Sequence, residues 1–256
     1  MNNLRLKLRL TVLVILCTLS LQAQVSPFLL QGRIEYEKRV NLHAQMDEAL
    51  KGEQEHSWYE SIKKSSSQFQ VTYFDYSFAG NTSLYKPGRE NPENKNPFMG
   101  DAPASANVVY SKLDSMQSVS QKKVFEQLFL VKDSIRPIHW KITDETRKIA
   151  GFDCRRANAI IMDSVYVVAF YTDAIVTPGG PESFAGLPGM ILGVALPHEH
   201  TSWFATKVLV DDIKEGTLLP PTKGKAVNNK ALREGLNKTI GKWGGFGPLY
   251  LRSISL

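Results

Sequence analysis

His198-Glu199-His200 is the nearest approach to a metal-binding pattern in this 256-residue chain. If the segment runs extended, its two imidazoles leave the backbone on one face, because side chains alternate along a strand. Imidazole suits several transition metals. A closed site needs about four convergent ligands, or three and an open position. His198 and His200 would therefore need His139, Met190 or a distant carboxylate as a third ligand. A polar turn after Pro197 accounts for the same residues and is the favoured reading. Cys154 is the other distinctive residue. A thiol nucleophile needs thiolate character and a neighbouring base, and no histidine lies near it in sequence. Alternation places Cys154 with Phe152 on one strand face and Asp153 with Arg155 on the other, which points to a buried structural thiol. Carboxylates occur at Asp144-Glu145, Asp163, Asp173, Glu182 and Asp211-Asp212. Paired carboxylates serve as general acid and base, but only Asp173 and Glu182 frame an unusual stretch of chain. The chain has no G-x-S-x-G, H-E-x-x-H, P-loop or dinucleotide fingerprint. No catalytic residue and no cofactor is assigned, and binding outweighs catalysis as the expectation.

The unusual stretch runs from Gly179 to Pro197 and is the densest cluster of glycine and proline in the chain. Leu187-Pro188-Gly189-Met190 predicts a type II turn, with proline setting the first central φ and glycine supplying the positive φ of the second. Met190 to Leu196 is apolar except for Gly193 and predicts a strand buried on both faces. Glycines can simply allow a sharp corner and close backbone packing. Alternatively, the loop from Pro178 to Gly189 borders a ligand pocket or partner groove, since binding sites favour loops carried by rigid sheets. In that reading Trp140, Tyr171, Gly186, Leu187, Pro188, Gly189 and Met190 are the candidate ligand-binding residues.

Gly186-Leu187-Pro188-Gly189-Met190-Ile191 closely resembles the GLPGLI signature that names a family of exported Bacteroidota proteins, with Met190 in place of a leucine. Trp140-Lys141-Ile142, Lys148 to Ala157 and Ala169 to Asp173 also resemble that family, so the likeness spans about 140–197. The resemblance implies an exported, β-rich protein whose family has no established activity. Family members are often found near genes for outer-membrane TonB-dependent transporters, which suggests a link to nutrient or metal uptake.

The elements that must position these residues are mostly strands. Gly32 to Val40 alternates apolar and charged residues with period two. His43 to about Lys64 predicts helix, broken near Gly52, with Leu42, Met46 and Leu50 spaced by four. Ser67 to Ser77 alternates again and is rich in aromatic and β-branched residues. Pro87 to Ala106 reads as a surface loop. Further strands are predicted at 107–113, 115–124, 125–131, 138–142, 153–162, 165–171, 190–196 and 201–210. Asp163-Ser164 makes a hairpin, and Pro197 to His200 makes another. About ten strands result, with one or two short helices near the N-terminus and a short helix over Asn228 to Lys238. The fold class is mainly β: an antiparallel curved sheet or half-barrel with a polar C-terminal tail. Strand count and compartment suggest an analogy to periplasmic lipoprotein carriers.

Residues 1–23 predict a cleaved signal peptide, with basic Arg5, Lys7 and Arg9 before an apolar core too short to span a bilayer. Cleavage is placed between Ala23 and Gln24. Lipidation at Cys17 is disfavoured by the bulky Leu16. Removing Cys17 leaves Cys154 alone, so no internal disulfide forms. Thirty-one basic residues less three in the leader leave twenty-eight against twenty-five acidic, a net +3. The excess is local: 222–256 carries seven basic residues and one acidic residue. The expected organisation is a signal peptide over 1–23, a single β-rich domain over 24–221 and a basic tail over 222–256. The tail reads as a solvated face that could also touch anionic lipid or an acidic partner. Export and the lack of an aromatic-basic platform exclude nucleic acid. The expected function is therefore that of a periplasmic or secreted binding protein, an envelope accessory factor for an apolar ligand, peptide or protein partner. The alternatives are a metal protein or metal-dependent hydrolase using His198 and His200, and a purely structural envelope protein.

Overall fold

A computed structural model describes residues 28–51, 57–93 and 102–256; the leader and its cleavage site lie outside these residues. Period-two patterning organises most of the chain. Strand β1 (Gln31–Asn41) buries Ile34, Tyr36, Lys38 and Val40 and turns Arg33, Glu35, Glu37 and Arg39 away. Asn41 then caps helix α1 (Leu42–Ala49) by accepting from the Ala44 N–H at 3.1 Å. The cap satisfies a donor that has no partner inside the helix. Helix α1 ends at Ala49 and helix α2 (Ser57–Ser65) follows; Gly52, where the break is predicted, lies outside the described residues.

A first meander comprises β1, β2 (Phe69–Ala79), β3 (Thr82–Pro87), β4 (Val108–Lys112), β5 (Gln117–Val124) and β6 (Gln127–Ser134). A second comprises β7 (Lys141–Ile149), β8 (Phe152–Ile161), β9 (Val165–Thr172), β10 (Met190–Leu196) and β11 (Thr201–Leu209). Antiparallel pairing of β1 with β11, from Arg33 against Leu209 to Val40 against Thr201, joins the two meanders. A three-residue strand, β12 (Lys225–Val227), runs parallel to β6, and helices α3 (Asn229–Ile240) and α4 (Phe246–Ser255) complete the chain. The result is one open mixed sheet in the order 12-6-5-4-3-2-1-11-10-9-8-7.

The fold is mainly β, as expected, with three corrections. There are twelve strands rather than ten, because β3 and β12 escaped the pattern. Strand β3 hides in a polar-looking run ending at Pro87, although Gly80-Asn81 signals the hairpin that pairs it with β2. Strand β12 has no local signal; its pairing with β6 is long-range and makes the sheet mixed. Residues 222–256 are also more than a polar tail. Their lysines are exposed, but Leu232, Ile240 and Ile254 pack against Val124 and Val131. Two of the four described helices therefore lie at the C-terminal end. The predicted helix over Asn228 to Lys238 is present as α3, capped by Asn228.

Helix α4 shows that the sheet curls. The Lys122 ammonium on β5 donates to the Ile254 oxygen at 2.6 Å, and Arg252 pairs with Glu199 beside β11 at 2.8 Å. Five inter-strand steps of about 4.8 Å would hold β5 and β11 about 24 Å apart in a flat sheet. Arg252 and Ile254 are about 3 Å apart along the helix. The strands must therefore wrap around α4. Among the described residues no helix is long and apolar enough to cross a membrane.

Candidate functional site

The glycine-proline loop between β9 and β10 is pressed against the sheet interior. A Cβ on Gly179 would lie 2.0 Å from the Tyr76 hydroxyl, so only glycine allows that approach. The Gly179 oxygen accepts from the Ile191 N–H at 2.8 Å, and the Trp140 indole donates to the Ala185 oxygen at 2.9 Å. The turn at Leu187-Pro188-Gly189 is not type II. The Gly189 N–H donates to the Leu187 oxygen at 2.8 Å, while the Met190 N–H goes to Ile175 at 3.0 Å. A bond spanning two residues is a γ-turn, which frees Met190 to begin the sheet ladder. Gly189 still has φ +142, and a Cβ there would lie 2.1 Å from the Thr172 oxygen.

The loop carries Glu182 into the interior on a left-handed backbone, φ +51, with 2 % of its surface exposed. One carboxylate oxygen accepts from the Asn107 amide at 2.9 Å. The other lies in a layer with the Tyr85 hydroxyl and the Trp203 indole, none of them in a hydrogen bond of normal geometry. Two lysines share this interior. Lys38 is 3 % exposed; its ammonium donates to the Pro103 oxygen at 3.2 Å and sits 5.1 Å from the centre of the Trp203 ring. Burial lowers its pKa, and Glu182 partly opposes that. Lys122 is equally buried, and burial pulls its pKa down to about 8. A buried charge is costly unless paired and hydrogen-bonded, so this layer is a concentrated electrostatic feature of the fold.

Next to it lies open space. A cavity of about 650 Å³ is bounded by α1, Ile62 of α2, the 102–106 segment, the β5–β6 hairpin and the start of α4. Phe125, Trp243 and Tyr250 form its aromatic wall, with Phe125 stacked on Tyr250 at 5.4 Å and Trp243 5.3 Å from Phe125. Phe125 and Trp243 are 48 % and 45 % exposed, unusual for rings of this size in mutual contact. Phe125 also sits at φ +52 in a two-residue hairpin loop, a conformation that glycine and asparagine adopt far more readily. A second chamber of about 30 Å³, lined by apolar side chains and three charged ones, reaches Lys38, Trp203, Glu199 and Arg252. Leu42, Gln45, Gln70 and Pro103 line both spaces, so the two adjoin.

The residues anticipated for ligand binding lie elsewhere. Tyr171, Leu187 and Met190 are buried in the core at 3 %, 2 % and 0 % exposure. Gly186 and Pro188 are exposed, Gly189 is buried, and Trp140 is half-buried against Gly186. Asp173 is exposed while Glu182 is buried, so the two do not converge. The extended reading of the histidines also gives way. Pro197–Glu199 is a 3-10 turn, because proline at its start favours a tight turn and cannot donate to a ladder. His198 is exposed and His200 is left-handed, φ +50. Among the described residues no three His, Cys, Asp or Glu side chains cluster as metal ligands. Cys154 is fully buried, and burial pushes its thiol up to about 12. The residues missed in sequence did leave a signal. Period-two alternation in β1 places Lys38 with Ile34, Tyr36 and Val40, and in β5 it places Lys122 with Ser120 and Val124.

A family model described as "Protein of unknown function (Porph_ging)" matches residues 160–193, from the end of β8 through the glycine loop into β10. No curated protein matches. Among solved structures, PNGF-II in a C2 crystal form is 12 % identical with a TM-score of 0.51, over 80 % of this chain and 32 % of that one. The P21 form is 14 % identical with a TM-score of 0.49, over 77 % and 31 %. The chain thus spans about a third of the PNGF-II chains it matches, and the likeness to the C2 form is one of fold.

Proposed function

We propose that this chain is an exported binding protein of the GLPGLI type that holds an apolar small molecule in the cavity walled by Phe125, Trp243 and Tyr250. In this reading it is an envelope accessory factor, associated with outer-membrane TonB-dependent uptake, and the exposed lysines of α3 face acidic partners or lipid. The observation that carries the reading is the cavity itself. Its volume of about 650 Å³ falls within the roughly 300–1,000 Å³ of small-molecule sites, and its walls are mainly apolar.

The test is titration with the neutral apolar dye N-phenylnaphthylamine, read by its fluorescence. Saturable binding is expected, weakened about tenfold or more by Trp243→Ala, on the order of 1.4 kcal/mol. Absence of saturable binding to the folded wild-type protein overturns the reading.

A further inference from the structure

The two adjoining cavities differ in the charged groups that line them. The larger is walled mainly by apolar side chains, with Lys123 and Glu126 of the β5–β6 hairpin also in its lining; the smaller, beside it, has room for a group of about water size. The charged side chains lining the small chamber are Lys38, Arg252 and Glu199. Arg252 and Glu199 pair with each other at 2.8 Å, so Lys38 is the cation left over in that lining. An ammonium has three donors, and one hydrogen bond of Lys38 is accounted for among the described residues, to the Pro103 oxygen at 3.2 Å. Leu256 also lines this space, and its main-chain oxygen accepts from the Ser183 hydroxyl at 2.5 Å. A buried lysine beside an apolar cavity favours a ligand that is apolar along its length and anionic at one end.

We propose that the paired cavities take a straight-chain carboxylic acid of the fatty-acid class. Its acyl chain lies along Phe125, Trp243 and Tyr250, and its carboxylate accepts from the Lys38 ammonium. This assignment rests on the binding reading above and goes further in fixing the head group and its orientation. A carboxylate there adds a direct hydrogen-bonding anion to the partial compensation that Glu182 gives Lys38, and a charge-assisted hydrogen bond is stronger than a neutral one. A neutral head group forgoes that ionic hydrogen bond, and a site built around a buried polar group discriminates against such an analogue.

The experiment compares dodecanoic acid with dodecanol on the full chain, by displacement of N-phenylnaphthylamine at a pH near neutral. The acid is expected to bind about tenfold or more tightly than the alcohol. Lys38→Met is expected to bring the two within about twofold while keeping the affinity for dodecanol. Equal binding of acid and alcohol to the wild-type protein overturns the head-group assignment and leaves the apolar binding reading standing. Retained preference for the acid in a folded Lys38→Met variant also overturns it, since the head group then lies elsewhere. Failure of both ligands and the dye to bind removes both readings together. If Lys38→Met does not fold, the wild-type comparison of acid with alcohol decides.

Discussion

Glu182 enters the interior on a backbone that only its neighbours make tolerable. The glycines around it let the loop lie directly on Tyr76 and Ile191, so a carboxylate reaches the layer that holds Tyr85, Trp203 and the two buried lysines. The same loop ends at Gly189, whose missing side chain is filled by the Thr172 carbonyl. Gly189→Val would place a β-branched side chain on that oxygen at a positive φ. Strain and overpacking of about 1–3 kcal/mol each predict a melting temperature lower by about 5–15 °C for a chain of this size. Thermal unfolding followed by circular dichroism checks this, and an unchanged midpoint would show that the close approach to Thr172 is not held in solution.

At the scale of elements, the β5–β6 hairpin and α4 together make the aromatic wall. The two-residue loop places Phe125 where its ring stacks on Tyr250, at the expense of a left-handed backbone. Phe125→Gly relieves that backbone and removes the ring. The expected outcome is separation of two properties: stability unchanged or raised by about 1 kcal/mol, and affinity for N-phenylnaphthylamine lowered about tenfold. Urea unfolding and dye titration on the same preparation measure both. Parallel loss of stability and binding would mean that the ring is a core residue and not a wall of the site.

Across the whole molecule, the buried layer makes stability depend on pH in a defined direction. Lys122 has a folded pKa of about 8, below its unfolded value of about 10.4. Between these values the unfolded chain holds more protons than the native one, so stability rises with pH across that window. Lys38 acts with the same sign. Burial raises the hydroxyl pKa values of Tyr36, Tyr76 and Tyr85, so above about pH 10 the native state holds more protons and stability falls. Urea midpoints should therefore climb from about pH 8 to about pH 10 and then decline. Lys122→Met should flatten the climb by at most about 1.4 kcal/mol per pH unit. A variant with the wild-type slope would show that Lys122 keeps its proton throughout that range.

The sequence by itself determined the local periods. Alternation in β1, β2 and β8 and the spacing of Leu42 and Met46 in α1 are consequences of neighbours a few residues apart. These patterns were enough for a mainly β fold and for the two helices after β1. Lys38 and Lys122 were also legible as inward-facing, because strand alternation has period two. What they meet was not legible. The pairing of β1 with β11 joins residues about 170 positions apart in the chain, and such closure leaves no trace in a local window. The curl of the sheet around α4, the meeting of Glu182 with Tyr85 and Trp203, and the cavity between α1, the β5–β6 hairpin and α4 all follow from that closure. The tertiary structure alone decided them, because side chains from remote strands converge only once register and curvature are set.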